Sequence, residues 1–310
     1  PALTPVSSSP PVLEDYTPRL PASLHRLRFH KCAVLVGHSK AIIACCGIGS
    51  DHALTGSRDY SLRYWNVITG SCLRVIKRAH PCTGGVTCCS HILQNNTTAT
   101  IAVSGGSDHK LKIWNLTAGQ CLARLDGHTK SVTCCLVMYC EPTRNTTTTT
   151  TLIVSGSSDT TLKVWDVGNL QQRRQCRFTL RGHTGSITSC ARLQTSAIVS
   201  TSLDCSLIIW NILTGETLRI LGGQHRPVYS CAAIDNGLRV LSGANNSKLN
   251  LWDCRTGAKL STLKRMTNWS TGMVLLDNNQ KVFSAEWTRH AAIWDRHTGR
   301  LIRRFSNHSD

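Results

Sequence analysis

Six stretches of this chain are near copies of one another: "LTGSRDYSLRYWN", "VSGGSDHKLKIWN", "VSGSSDTTLKVWD", "VSTSLDCSLIIWN", "LSGANNSKLNLWD" and "FSAEWTRHAAIWD". Their tryptophans, Trp65, Trp114, Trp165, Trp210, Trp252 and Trp294, stand 49, 51, 45, 42 and 42 residues apart. A sustained period constrains the fold more than any single motif. Each copy must be one small unit that cannot bury its apolar side alone and so stacks on the next.

Within a copy the pattern is of short strands. "SVTCCLV" supplies a first and "LIVSGS" a second; a tight turn then holds the aspartate, a third strand ends at the tryptophan, and "QCLARLDGH" supplies a fourth. Runs of Val, Ile, Leu, Cys and Thr bounded by Gly, Asp and Asn read as strands, and no long helical period appears. A period of about 40 to 45 residues suits a four-stranded unit. The longer gaps hold insertions, "QNNTTAT" near Asn96 and "YCEPTRNTTTTTT" up to Thr151, expected as loops between first and second strands on the lower face.

Ahead of each copy lies a Gly-His-like turn: Gly37-His38, Ala79-His80, Gly127-His128, Gly182-His183 and Gln224-His225, with Arg265-Met266 at the sixth place. With these residues the chain resembles the WD-repeat β-propeller family from about Lys31 to Asn307. The resemblance implies an all-β fold with six readable four-stranded blades. It also implies a hydrogen-bonded chain of aspartate, histidine, hydroxyl and indole in each blade: His38, Thr55, Asp59 and Trp65; His80, Ser104, Asp108 and Trp114; His128, Ser155, Asp159 and Trp165; His183, Ser200, Asp204 and Trp210. Such a chain gives each buried polar group a partner and avoids about 1 to 3 kcal/mol per orphan. The residue types match a nucleophile triad, but a triad needs one exposed site with an oxyanion hole, and this set recurs in every blade. The sets are therefore read as structural, with no catalytic residue and no cofactor. Blade five, with Asn246 for Asp, and blade six, with Thr288 and Met266, are expected to rely more on packing.

"KCAVLV", residues 31–36, looks like a fourth strand, although "RLIRRF" already serves the last copy. A seventh blade is therefore expected, partial or irregular, built from residues 1–30 or from chain beyond Asp310. Residues 1–30, rich in Pro and Ser, read as an arm or linker, and residues 31–310 as the propeller.

The formal charge is +18, from 35 Lys and Arg against 17 Asp and Glu, which favours acidic protein surfaces or RNA as partners. The 16 cysteines fall in strand runs such as Cys45-Cys46, Cys88-Cys89 and Cys134-Cys135, and read as buried free thiols. No CxxC pair supports a metal site, and no P-loop or HExxH motif appears. No apolar run is long enough for a signal peptide or a membrane span, so the chain is read as a soluble intracellular fragment, cytoplasmic or nuclear, an organelle not being excluded.

In the family, partners bind the upper rim, at the residue before the turn aspartate and near the start of each first strand. Arg58 occupies the first kind of place and Tyr229 the second. Trp269 and Trp287, the two tryptophans outside the repeat motif, map to the same rim on blade six, beside Tyr229 and Arg226 on blade five. These five residues are the expected partner-binding set. Two basic runs, with Arg173, Arg174 and Arg177 in "QQRRQCRF" and Arg303 and Arg304 in "RLIRRF", form an expected basic surface. Phrases such as "TGMVLLDNNQKVFSA" resemble F-box/WD ubiquitin-ligase receptors, but of the arginine places such receptors use for phosphorylated motifs only Arg58 matches. The reading is a non-enzymatic protein–protein interaction scaffold in a multiprotein complex. The alternatives are an RNA-associated ribonucleoprotein subunit and a ubiquitin-ligase substrate receptor.

Overall fold

A computed structural model of the chain describes residues 34–93, 99–140, 150–168, 176–245, 248–264, 270–276, 280–286, 291–295 and 301–305. Each repeat is a four-stranded antiparallel meander in the order written. Blade one comprises β1 (Ile42–Ile48), β2 (His52–Ser57), β3 (Leu62–Asn66) and β4 (Cys72–Ile76), and blade two β5 (Val86–Ile92), β6 (Ile101–Gly106), β7 (Leu111–Asn115) and β8 (Gln120–Leu125). Blade three holds β9 (Val132–Cys140), β10 (Thr150–Ser157), β11 (Leu162–Asp166) and β12 (Cys176–Leu180); blade four holds β13 (Ile187–Arg192), β14 (Ala197–Ser202), β15 (Leu207–Asn211) and β16 (Thr217–Leu221). Blade five is β17 (Val228–Ile234), β18 (Arg239–Ala244), β19 (Lys248–Asp253) and β20 (Lys259–Lys264), and blade six β21 (Ser270–Leu276), β22 (Lys281–Glu286), β23 (Ala291–Asp295) and β24 (Leu301–Phe305). These are the six blades of a β-propeller, first strands innermost. Among the described residues the only helix is one 3-10 turn, Asp235–Gly237, and no helix is long and apolar enough to cross a membrane.

The core lies between blades rather than within them. Val103, Leu111 and Ile113 of blade two pack with Val132, Ile153 and Trp165 of blade three, and the same arrangement joins blades one and two, three and four, four and five, and five and six. In each case the motif tryptophan of the later blade lies on the face of the earlier one. In blades two, three and four the first residue of the inner strand is the knob that locks this contact. Val86, Val132 and Ile187 press on Gly56, Gly105 and Gly156 so closely that a β-carbon at any of these glycines would collide with the knob.

The expected four-strand repeat and its boundaries agree with the structure. Residues 34–36, the described part of the expected extra fourth strand, form no strand pairing. The two insertions lie mainly outside the described residues, as do Asn246, Met266 and Thr288.

Replacing Gly156 by valine should lower the urea midpoint by the equivalent of about 2 kcal/mol, the usual cost of overpacking a filled interface. The same change at Gly47, where nothing lies within 4 Å of an added β-carbon, should leave it nearly unchanged.

Candidate interaction surface

The polar chain expected in blades one to four is present in all four. In blade three the Trp165 indole donates to Ser155 Oγ at 2.9 Å, Ser155 Oγ lies 2.8 Å from His128 Nε2, and His128 Nδ1 lies 2.8 Å from Asp159. The corresponding contacts run through Trp65, Thr55, His38 and Asp59, through Trp114, Ser104, His80 and Asp108, and through Trp210, Ser200, His183 and Asp204. Burial lowers the His80, His128 and His183 imidazoles below the usual histidine range, opposed only in part by the facing carboxylates. Burial works to raise Asp108, Asp159 and Asp204, yet hydrogen bonds hold each at about 2, from His80 to Asp108, from Thr161 and His128 to Asp159, and from Ser206 and the Thr184 amide to Asp204. Each histidine is thus neutral. It donates Nδ1–H to the carboxylate and accepts from the hydroxyl, which accepts from the indole. Ser104, Ser155 and Ser200 are fully buried, so these oxygens meet no substrate.

Blade five differs from expectation. His225 was aligned with the network histidines, but it is exposed, and Gln224 takes their place, donating to Ser242 Oγ at 2.7 Å while Trp252 donates to the same oxygen at 2.9 Å. Asn250 donates to Gln224 and accepts from Thr262, extending the chain in a blade expected to rely more on packing. The signal was in the sequence: Gln224 follows Leu221 by three residues, as His128 follows Leu125 and His183 follows Leu180. In blade six the Trp294 indole still donates to Ser284.

On the upper rim Arg58 is exposed, with its amide on the Ala41 carbonyl. Lys40 Nζ lies 5.4 Å over the Tyr60 ring, and Tyr60, Arg78, Pro81, Cys82 and Thr83 line an adjoining hollow of about 570 Å³. The nearby Asp59 is already bonded to His38, Ser39 and Ser61. Lys40, Tyr60 and Arg78 were not anticipated. Arg78 exists because "IKRAH" has one more residue between Ile76 and His80 than "LDGH" has in blade three, and the extra residue is accommodated with Arg78 at φ 53°. Arg226 is exposed just ahead of β17, and Tyr229, in β17, is half-buried on the same blade. Trp269 and Trp287 lie outside the described residues.

Of the expected basic surface, Arg177 is exposed on β12 with its guanidinium 5.5 Å from the Phe178 ring, and Arg303 and Arg304 are exposed on β24; Arg173 and Arg174 lie outside the described residues. Both groups sit on outer strands of different blades. Arg74 and Arg219, also on outer strands, instead donate to the Thr117 and Thr256 carbonyls in the turns of the following blades.

Changing Ser155 to alanine orphans the Trp165 N–H and a His128 nitrogen together, and should cost about 2 kcal/mol or more in urea unfolding. Acid sensitivity follows from the same groups. The folded-state values of His80, His128 and His183 and of their aspartates lie below the unfolded ones, so the folded form binds fewer protons. Stability should be full above about pH 6.5, decline below it as unfolded-state histidines protonate, and drop further from about pH 4 towards 2. Urea midpoints that stay level down to about pH 5 would contradict the neutral-histidine assignment.

The WD domain, G-beta repeat, matches this chain at residues 29–66, 70–115, 119–166, 174–211 and 215–253. A stretch is 34% identical over 76 residues to F-box/WD repeat-containing protein sel-10 of Caenorhabditis elegans, covering 24% of this chain and 13% of that protein. Another is 32% identical over 104 residues to Cell division control protein 4 of Candida albicans, covering 33% and 13%. A longer match, 27% identical over 257 residues, is to Telomerase protein component 1 of Mus musculus and covers 76% of this chain and 9% of that protein. The chain thus spans only 9% to 13% of the length of these relatives. Repeats matched over more than half its length, folded as four-stranded blades with the indole-to-carboxylate chain in four of them, place this chain in the WD40-repeat family of β-propellers.

Proposed function

We propose that this propeller is a rigid, non-enzymatic platform within a multiprotein assembly, and that its upper rim holds an acidic segment of a partner protein. The observation that carries this is Lys40 over the Tyr60 ring with Arg78 beside it along an open hollow, Arg58 exposed in the same turn as Tyr60, and the carboxylate between them, Asp59, engaged in the blade. An aromatic ring amid cations offers an acidic peptide both charge and apolar contact, and the locked blades beneath present it without reordering. The formal charge of +18 adds long-range attraction of the same sign. Arg226 and Tyr229 offer a second contact on blade five. All described cysteines are free, which agrees with an intracellular setting, cytoplasmic or nuclear.

One of the relatives carries an F-box/WD name, which favours a ubiquitin-ligase receptor as the finer role. Against a phosphodegron pocket of that type, Ser107, Thr133, Ser158 and Thr188 stand where arginines would be needed. The likeness to a telomerase component and the outer-strand arginines support the RNA-associated reading.

Titration of fluorescein-labelled poly-glutamate and of poly-uridine RNA separates these readings. The chain should bind poly-glutamate, and the triple change K40E/R58E/R78E should weaken that binding by about tenfold or more, while R303E/R304E leaves it unaltered. Binding to poly-uridine alone, falling steeply with salt, would replace this reading with the RNA one.

A further inference from the structure

The residue that follows each motif asparagine or aspartate occupies one repeated place. Its amide donates to a carbonyl near the start of the second strand of its own blade: Leu116 to Thr100, Val167 to Thr151, Ile212 to Ser196 and Cys254 to Leu238. Leu116, Val167 and Ile212 are buried members of the cores shared with the preceding blades, so a branched aliphatic side chain plugs the lower end of each of those three junctions. Between blades four and five the plug is cut back to Cys254, which is only half-buried. Its bonded partner departs in the opposite sense. Thr100, Thr151 and Ser196 are polar, whereas Leu238 is an apolar side chain left 57% exposed.

The two departures meet in one hollow of about 430 Å³, walled by Leu193 and Ile209 of blade four and by Leu238 and Cys254 of blade five, with the exposed Arg219 and Arg255 beside them. Gly237 lies so close to the Leu193 carbonyl that no β-carbon fits there, which sets the blade-five wall firmly against blade four. Arg219 is held across the junction by its bond to the Thr256 carbonyl at 3.3 Å; Arg74 makes the like bond to Thr117 between blades one and two, where Leu116 completes the core. Among the described residues no carboxylate lines the hollow. Asp253 and Asp235, the acidic residues nearest in sequence, are engaged by the Arg255 and Thr256 amides and by Arg239.

We propose that this hollow, at the opposite end of the blades from the rim, docks an extended segment of a partner protein that carries a branched aliphatic residue beside a glutamate or aspartate. The chain itself shows which side chain fits. At three like junctions the place is filled by leucine, valine or isoleucine, and here a partner's side chain completes the core from outside, recovering contacts that a truncated core residue forfeits. The exposed Leu238 widens the apolar contact. Arg219 and Arg255 then select the neighbouring carboxylate, which guanidinium groups take in paired, charge-assisted hydrogen bonds. The site shares no residue with the rim, and neither reading depends on the other.

Fluorescence anisotropy with the labelled peptide Ser-Glu-Asp-Leu-Glu-Ser tests the site, a version with serine in place of leucine serving as the charge-matched control. The leucine peptide should bind about tenfold more tightly than the control, the usual worth of burying one such side chain. Cys254→Leu completes the junction as the other blades do, so its urea midpoint should not fall while the preference for leucine disappears. Leu238→Ser, which restores the residue found at Ser196, should reduce the preference at least threefold and keeps the test available should Cys254→Leu not fold. R219E/R255E should weaken the leucine peptide about tenfold or more. K40E/R58E/R78E, on the rim, should leave the ratio between the two peptides unchanged. Equal binding of both peptides to the unaltered chain overturns the proposal, as does a preference that survives Cys254→Leu and Leu238→Ser or one that is lost only with the rim change. Binding of laurate that Cys254→Leu abolishes, with no preference between the peptides, would assign the hollow to a free acid instead.

Discussion

A four-stranded sheet of five- to nine-residue strands cannot bury either of its faces alone, and every other feature of this molecule follows from that shortage. Each blade is stable only as the wall of its neighbour. Where blades two to five meet the blade before them, the interface has one recipe: a β-branched first residue on the inner strand, a cysteine against the inner strand of the preceding blade, and a tryptophan laid on the preceding face. Size at each place is set by the partner rather than by the strand itself, which is why Gly105 faces Val132 and Gly156 faces Ile187.

The indole-to-carboxylate chain answers a different problem. The tryptophan that builds the apolar interface brings a buried N–H, and the serine, histidine and aspartate carry that unmet donor outwards, bond by bond, to the solvent-facing turn. Neutral histidine is essential to the direction of these bonds, since an imidazolium would have no acceptor for the serine hydroxyl. Blade five shows that the requirement is chemical and not tied to one residue type. Gln224, with a donor and an acceptor on one amide, replaces the imidazole, and Asn250 takes the bond that remains.

This rigidity bears on function. The turns that end each polar chain are also the upper rim, so Arg58 and Tyr60 flank an aspartate fixed by His38, and a partner meets side chains set on an ordered frame. The lower turns and outer strands are tied less uniformly, through contacts such as Arg74 with the Thr117 carbonyl. The upper rim therefore presents the better-organised charge.

The strand order, the blade boundaries and the polar chain of blades one to four were legible in the sequence, because a period of tryptophans with a serine or threonine ten residues ahead of each reports a local, repeated geometry. Spacing also held the clue to Gln224, through its distance from Leu221, although the conspicuous His225 obscured it. What the sequence could not disclose is which of several chemically similar residues end up uncovered. Cys45 and Cys89 sit in like strands at like register, and Ile42 matches Val86, yet Cys45 is exposed where Cys89 is half-buried and Ile42 is exposed where Val86 is sealed. The grouping of Lys40, Arg58, Tyr60 and Arg78 is likewise a product of assembly. The sequence by itself determined the repeating unit, whose contacts lie within some forty residues; only the tertiary structure decided burial and surface grouping, because both depend on what the adjoining blade brings to the contact.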